Sequence, residues 1–462
     1  MAHAESECLL LALPDPCLLA VLQCCAATDQ RSVLSAARAH SRLHQAALLA
    51  LRSIRAIVRQ QHKADSVLLY LARHGQQVDS IQIGGTSAVV LQPLPLKQHL
   101  SRLVLELLSL QLQPGGAFHG VLGAAAGVAA LRQLRLRDCK LLGAAGQALS
   151  VLPAGLEHLS ISKVTVNDQS VQLATTVLQQ LQQLTFLELL GVELQGPELT
   201  ADSAAVVCDK ASPALQPLQA LTLLADLRLE DIGCYSDLTA SMLSGAHNLT
   251  CLHVFGYHVE PAILAGKTQL QNVGLGLGSL SGKAAGVAEL LSYLQPLQQL
   301  TRLSLPFCLR YVAESPSGSN PVVYLALTAS SNLQRLNMSQ SILPADAWQH
   351  LFPAGRQLPH LTSLNISDVQ QASGDHAPAP EGSRLVSCCP SLQCLDMRRL
   401  HYSTEVLPPL QGLSTLHSLN LAPFHNSCIL EGLMQLTQLK QLTTQSHRGF
   451  DELCLASLVS VD

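Results

Sequence analysis

Phosphate binding is the first chemistry that the residue types suggest, in the run Gly274-Leu275-Gly276-Leu277-Gly278-Ser279-Leu280-Ser281-Gly282-Lys283. Glycine amides followed by a lysine can cradle phosphates, but a phosphate loop needs G-x-x-x-x-G-K-[ST]. Here Leu277 stands where the first glycine belongs, and Ala284 takes the place of the magnesium-binding hydroxyl. The run reads instead as a Gly-rich repeat turn. His40 and His44 lie four apart, as zinc-binding histidines on a helix do, but no cysteine or carboxylate at matching spacing completes the four ligands of a structural zinc. The adjacent pairs Cys24-Cys25 and Cys388-Cys389 read as small buried hydrophobes. No nucleophile elbow, H-E-x-x-H or calcium loop is present in the sequence. The expectation is therefore a chain without catalytic residues, cofactor or metal, and not an enzyme.

The stretch Leu131-Arg132-Gln133-Leu134-Arg135-Leu136-Arg137-Asp138-Cys139 carries the pattern L-x-x-L-x-L-x-x-N/C. Its apolar frame returns from Val78/Ile81/Ile83 to Leu439/Leu442 in about fourteen units with a mean period of about 28 residues. That pattern identifies leucine-rich repeats, and the fold class it implies is an α/β solenoid, a horseshoe. Between the strand motifs, segments such as 168–181 and 284–294 have helical apolar spacing, so each unit should run strand, turn, helix. A strand cannot bury its leucines alone, so neighbouring units must stack, each buried leucine contributing about 1.5–3 kcal/mol.

Alternation along each strand sends the paired leucines inward and the intervening residues to the concave face. Those residues are Arg102, Arg135 and Arg137 early in the array, then Phe186, Glu188, Leu190, Asp226, Arg228, Glu230, His253 and Phe255. Further on the face becomes small and polar, with Asn272, Ser304, Asn337, Ser339, Asn365 and Asn420. Phe186, Leu190 and Phe255 beside charges of both signs suit a protein-binding hot spot. The other reading is that Phe186 packs under the long insertion at 195–212.

Charged residues make up only 13% of the chain and sum to a net charge of −4, so the basic excess needed to neutralise a phosphate backbone is missing and nucleic acid is not an expected partner. Glu5 and Glu7 replace the basic start of a secretory signal, and no apolar run reaches the length of a membrane span. The 14 cysteines, without a CxxC pair, fit reduced thiols. A cytoplasmic chain is expected, with nuclear, cytoskeletal or axonemal location as variants. The sequons at Asn248, Asn337 and Asn365 then read as by-products of the repeat.

Residues 1–62 follow another rule. Pro14-Asp15-Pro16 opens a helix carrying Leu18, Leu19 and Leu22, Asp15 can accept from free amides of the first turn, and Pro16 loses a donor that had no partner. A second helix is expected from Thr28-Asp29, and a third from Ala36 to about Arg59 with Leu43, Ala47, Leu51 and Ile54 in one stripe. The segment 13–47, LPDPCLLAVLQCCAATDQRSVLSAARAHSRLHQAA, resembles a degenerate F-box. The resemblance implies that Leu13, Pro14, Leu18, Leu19 and Leu22 bind a Skp-family adaptor and, through it, a cullin. The chain would then be the substrate receptor of an SCF-type ubiquitin ligase, holding a protein target on its concave face and acting by proximity. The other reading makes these helices a cap over the first repeat of a cytoskeletal or axonemal scaffold. The expected organisation is completed by a connector at 63–77, the solenoid at 78–448 and a terminal cap at 449–462. The Gly/Pro-rich stretch 370–383 is expected to be an exposed, mobile loop.

Overall fold

The computed structural model describes residues 9–86, 88–92, 99–111, 130–142, 152–166, 169–195, 218–230, 237–256, 258–276, 284–309, 321–344, 346–371, 377, 379–400, 410, 412–421, 436 and 438–444. The chain divides into two compact units, Met1–Ala204 and Ala205–Asp462.

The first unit opens with helices α1 (Leu9–Ala12), α2 (Asp15–Thr28), α3 (Gln30–Ala39) and α4 (Ser41–Ala50). Local chemistry sets their ends. Asp29 caps α3 by accepting from the Arg31 amide at 3.0 Å and the Ser32 hydroxyl at 2.5 Å. His40 caps α4, its Nδ1 accepting from the Arg42 amide at 3.1 Å. That cap splits the long third helix expected from the sequence in two. Leu18, Leu22, Val33, Leu43, Ala47, Ala50 and Leu51 form the core of the helical module.

Residues 53–58, expected to continue that third helix, are a strand. Ser53–Val58 pairs in parallel with Ser80–Gly85, Ile54 opposite Ile81. The apolar stripe ends at Leu51, and Ile54, Ala56 and Val58 then follow period two, which a helix cannot bury on one side. A repeat strand therefore lies about 25 residues upstream of the first expected unit, inside the segment assigned to the helical module. The connector that follows is ordered as helix α5, Gln61–His74.

From there the strands Arg102–Glu106, Gln133–Arg137, His158–Ser162 and Phe186–Leu190 extend the parallel sheet, with Ile81, Leu103, Leu134, Leu159 and Leu187 in one register row. All five are at most 1% exposed, which is the leucine frame read from the sequence. At each strand entry one carbonyl accepts two amides of the next unit: Asp79 O from Ser101 and Arg102, Glu157 O from Thr185 and Phe186. Ser101 and Thr185 add their hydroxyls to the same carbonyls.

After nine of the strands one residue adopts the left-handed conformation, just before the N/C position of the repeat. Leu107, Asp138, Lys163 and Gly191 do so in the first unit, and Gly256, Phe307, Gln340, Asp368 and Arg399 in the second. The turn aims that residue's amide at the neighbouring unit, Leu107 N–H to Arg137 O and Phe307 N–H to Ser339 O. The N/C side chain then points inward: Leu108, Cys139, Val164, Cys308 and Val369 are at most 1% exposed. Cys139 donates to Leu105 O at 3.4 Å and Cys308 to Leu275 O at 2.7 Å, replacing with a thiol the bridge that asparagine would make.

In the first unit the expected helix position is largely filled by strands. Val90–Leu91, Ser109–Gln111, Lys140–Leu142, Thr165–Val166, Gln169–Ala174 and Val192–Gln195 form a second, six-stranded sheet. The segment 168–181, expected to be helical, is strand to Ala174 and helix only over Thr175–Gln180. Val171 and Leu173, both buried two apart, set that choice.

The second unit carries the strands Asp226–Glu230, Cys251–Phe255, Asn272–Gly276, Arg302–Ser304, Arg335–Asn337, Ser363–Asn365, Cys394–Asp396, Ser418–Leu421 and Gln441–Thr444, paired in parallel in that order. The helix Ala284–Leu294 matches its expected bounds. Short helices Ala347–Leu351 and Gly382–Cys388 and several 3-10 turns occupy equivalent places in other repeats. The stretch 370–383 is not a bare loop. Gln370–Gln371 pairs with Ile342–Leu343, the Ala377 amide bonds Val369 O, Ala377 is buried, and the helix Gly382–Cys388 begins within it. The 196–217 part of the other insertion and the expected cap at 449–462 lie outside the described residues.

Candidate protein-binding face

Parallel register converts the residues between the buried leucines into rows on the outward face of each sheet. In the first unit the middle row is Arg55, Gln82, Val104, Arg135, Ser160 and Glu188, each opposite the next. Ser160 Oγ donates to Glu188 Oε2 at 2.5 Å, and Arg135 Nε lies 3.9 Å from Glu106. Arg102 and Arg137 are exposed, the latter 3.5 Å from Asp138. The Phe186 ring is half-buried and stacks on His158, centroids 5.8 Å apart, and Leu190 closes the strand beside it. His158 belongs to this patch yet escapes a reading that follows leucine spacing alone. Its signal is the position two before Ser160 on the same strand.

In the second unit Asp226 grips Arg228 through two hydrogen bonds of 3.0 and 2.9 Å, with Glu230 exposed at the strand end. The next strand sets His253 opposite Arg228 and Phe255 opposite Glu230. The two rings meet edge to face at 6.5 Å. On the strand beyond, Gly274 lies opposite His253 and Gly276 opposite Phe255. A Cβ at Gly274 would sit 3.2 Å from the His253 ring, and one at Gly276 would collide with Phe255 Cδ1. The glycines that suggested a phosphate loop thus provide the floor on which two aromatic rings lie. Residues 277–283 of that run lie outside the described residues.

Burial, with help from the Arg228 and Arg302 cations, holds the His253 imidazole below its usual range, so it is neutral at neutral pH. Burial likewise pushes the Cys251 thiol up to about 12, with Asp226 reinforcing the shift, and the Cys139 thiol up to about 11. These thiols are inert fillers; the exposed cysteines among the described residues are Cys17 and Cys24.

Beyond this patch the small polar residues are structural. Asn337 Oδ1 accepts from Ser339 N–H and Asn365 Oδ1 from Ser367 N–H, each at 3.0 Å, while Asp396 Oδ1 accepts from Arg398 N–H at 3.2 Å. The side chain ends a three-residue strand by mimicking a turn. Two of the sequons therefore coincide with turns in which the asparagine oxygen is already engaged. Asn337 also donates to Ser304 Oγ at 3.2 Å, and Asn420 to Asp396 at 3.4 Å.

The residues expected to bind an adaptor do not form one surface. Leu18 is 0% and Leu22 3% exposed, both inside the helical core, so neither can face a partner. Leu13 and Leu19 are half-buried, and Pro14 is exposed. The resemblance had assigned them to an adaptor; α3 and α4 instead pack over Leu18 and Leu22. Sequence reasoning missed Arg42, which donates to Asp15 Oδ1 at 2.9 and 2.6 Å and to the carbonyl of Leu13 at 2.6 Å, locking the Leu-Pro-Asp turn to α4. It also missed Gln30, whose amide donates to Ser53 O at 2.6 Å and accepts from Arg55 N–H at 3.0 Å. Gln61 treats Val90 in the same way, at 2.8 and 3.0 Å. Each glutamine satisfies the backbone of a sheet-edge strand.

No protein-family model matches the chain, and no curated protein matches it. Among solved structures it is similar to an internalin, InlF, from Listeria monocytogenes, at 15% identity and TM-score 0.44, covering 73% of this chain and 86% of that one. A second internalin, InlC2 from the same organism, gives 17% identity and TM-score 0.32 over 50% of this chain and 84% of that one. A TDR receptor gives 13% identity and TM-score 0.39, with 81% of this chain matched to 65% of the receptor. The parallel register and the inward leucine rows themselves define the chain as an α/β protein of leucine-rich-repeat type. Among the described residues, no helix is long and apolar enough to cross a membrane.

Proposed function

We propose that this chain is a non-catalytic scaffold that binds another protein through the outward face of its repeat sheet. The observation that carries the reading is the patch of Arg228, His253 and Phe255. Its aromatic rings are seated on glycines and its arginine is oriented by Asp226, so few side chains must be ordered on binding. The stacked pair His158 and Phe186 beside Glu188 offers a second such surface.

The finer question is what the N-terminal helices do. We favour a cap that protects the sheet edge, supported by the Gln30 and Gln61 bonds and by the inward-facing Leu18 and Leu22. The rival, an F-box of an SCF-type ubiquitin ligase, draws support from the helix order and from apolar side chains exposed on these helices, Val21 at 38% and Leu49 at 52%.

One experiment separates the two. Full-length chain is titrated with a purified Skp-family adaptor, and micromolar binding that Val21→Asp removes would establish the ligase reading. No binding by the folded chain leaves the cap. The recognition face is tested by site-specific photo-crosslinking from position 255, with position 219, away from the strand, as control. A protein captured from 255 and lost with Arg228→Glu supports the assignment; equal capture from both positions refutes it.

A further inference from the structure

In the second unit Arg228 is held by Asp226 and Arg398 by Asp396, each at 2.9 Å. Two other arginines of the same sheet are left without such a carboxylate. Arg302 and Arg335 are exposed, and neither has an ion-pair partner among the described residues.

Register sets these two side by side, Arg302 opposite Arg335 as Leu303 is opposite Leu336. Register partners point to the same face, so both side chains leave the outward side of the sheet from Cα atoms about 4.8 Å apart. Their outer neighbours in the row are Asn272 and Ser363, and neither is acidic. Like charges directly opposite each other destabilise a sheet, and among the described residues nothing offsets this pair. Asn272 Oδ1 accepts from the Thr301 hydroxyl at 3.4 Å, which leaves its amide nitrogen as a further donor at the end of the row.

The pair also lies beside the aromatic patch. Arg302–Ser304 is two strands, about 10 Å, from Cys251–Phe255, and the strand between them carries Gly274 and Gly276 at outward positions. The charge of Arg302 is among those that act on the His253 imidazole.

We infer that Arg302 and Arg335 receive a carboxylate from an acidic segment of the partner protein that His253 and Phe255 anchor. The inference rests on the recognition-scaffold reading and names the chemistry of that partner. One carboxylate can accept from both guanidinium groups at once, which turns their mutual repulsion into a shared attraction. A nucleic acid finds less here. Two cations neutralise few phosphates, and the chain as a whole carries a net charge of −4.

The test uses full-length chain carrying 15N-labelled arginine, titrated separately with a peptide of alternating glutamate and serine, its glutamine counterpart, and an oligothymidylate. The expected result is a saturable shift of the Arg302 and Arg335 Nε–H resonances with the glutamate peptide, weakening as salt rises, and about tenfold weaker binding of the glutamine peptide. Arg302→Gln combined with Arg335→Gln should abolish binding, whereas Arg398→Gln, whose guanidinium Asp396 already engages, should leave it unchanged. No saturable shift, equal affinity for the two peptides, tighter binding of the oligothymidylate, unchanged affinity in the double variant, or an equal loss in Arg398→Gln overturns the inference. Crosslinking from position 255 is measured without these peptides, so the acidic contact and the broader reading fail separately.

Discussion

At the residue scale, two side chains show the repeat overriding local preference. Leu107 adopts φ 55° because the turn must deliver its amide to Arg137 O, although a leucine in that conformation costs about 1 kcal/mol. Asparagine tolerates the left-handed region, and little packing is lost at a half-exposed site. Leu107→Asn should therefore raise the thermal midpoint, by an amount equivalent to about 0.5–1 kcal/mol. An unchanged or lowered midpoint would show that the leucine side chain has its own stabilising contacts. His253 is the second case. Its folded-state pKa lies below the unfolded value of 6.5, so below that pH the unfolded chain takes up the proton first and stability falls as pH falls towards the folded value. Urea midpoints measured above and below pH 6.5 should show this loss in the wild type and a smaller one in His253→Gln.

At the scale of elements, the helices and the first strand depend on each other. Gln30 lends its carboxamide to the edge strand Ser53–Val58 as a surrogate neighbour. Removing it in Gln30→Ala should cost about 1–2 kcal/mol, since two backbone groups lose their partners where water can partly replace them. Amide hydrogen exchange at Arg55 should accelerate, while exchange at Leu134 in the middle of the sheet stays slow. Leu18→Ala removes a fully buried side chain from the helical core and should cost more, about 2–5 kcal/mol. Retention of wild-type stability in Leu18→Ala would contradict the inward placement of that residue.

At the scale of the whole molecule, the array grows by stacking, and an open end exposes unpaired strand backbone and apolar side chains. Ile57 is already 74% exposed in the presence of the helices. Deleting residues 1–50 would also release the Ser53 and Arg55 backbone groups and uncover Leu51, which packs into the helical core. Sedimentation velocity should then show stronger concentration-dependent self-association than that of the intact chain. A deletion variant that stays monomeric and folded would remove the capping role from the helices.

What the sequence determined by itself is the repeat: leucines at fixed spacing dictate parallel strands, because only stacking of like units buries them, and the inward rows from Ile81 to Leu187 and from Leu227 to Leu442 follow that frame. The helix start at Asp29 was legible, since a cap acts over a few residues, whereas Asp15, expected to cap the helix before it, is that helix's first residue and accepts from Arg42 instead of from first-turn amides. The outward positions of Phe186, Arg228, His253 and Phe255 followed from alternation. Only the tertiary structure decided the rest, because those outcomes depend on partners distant in sequence. Residues 53–58 became a strand because Ser80–Gly85 was there to pair with them. Leu18 and Leu22 became core because α3 and α4 covered them. Gly84 and Gly276 have the same residue type and the same register role, yet one lies under a ring and the other is open, a difference set by which side chain stands opposite on the neighbouring strand.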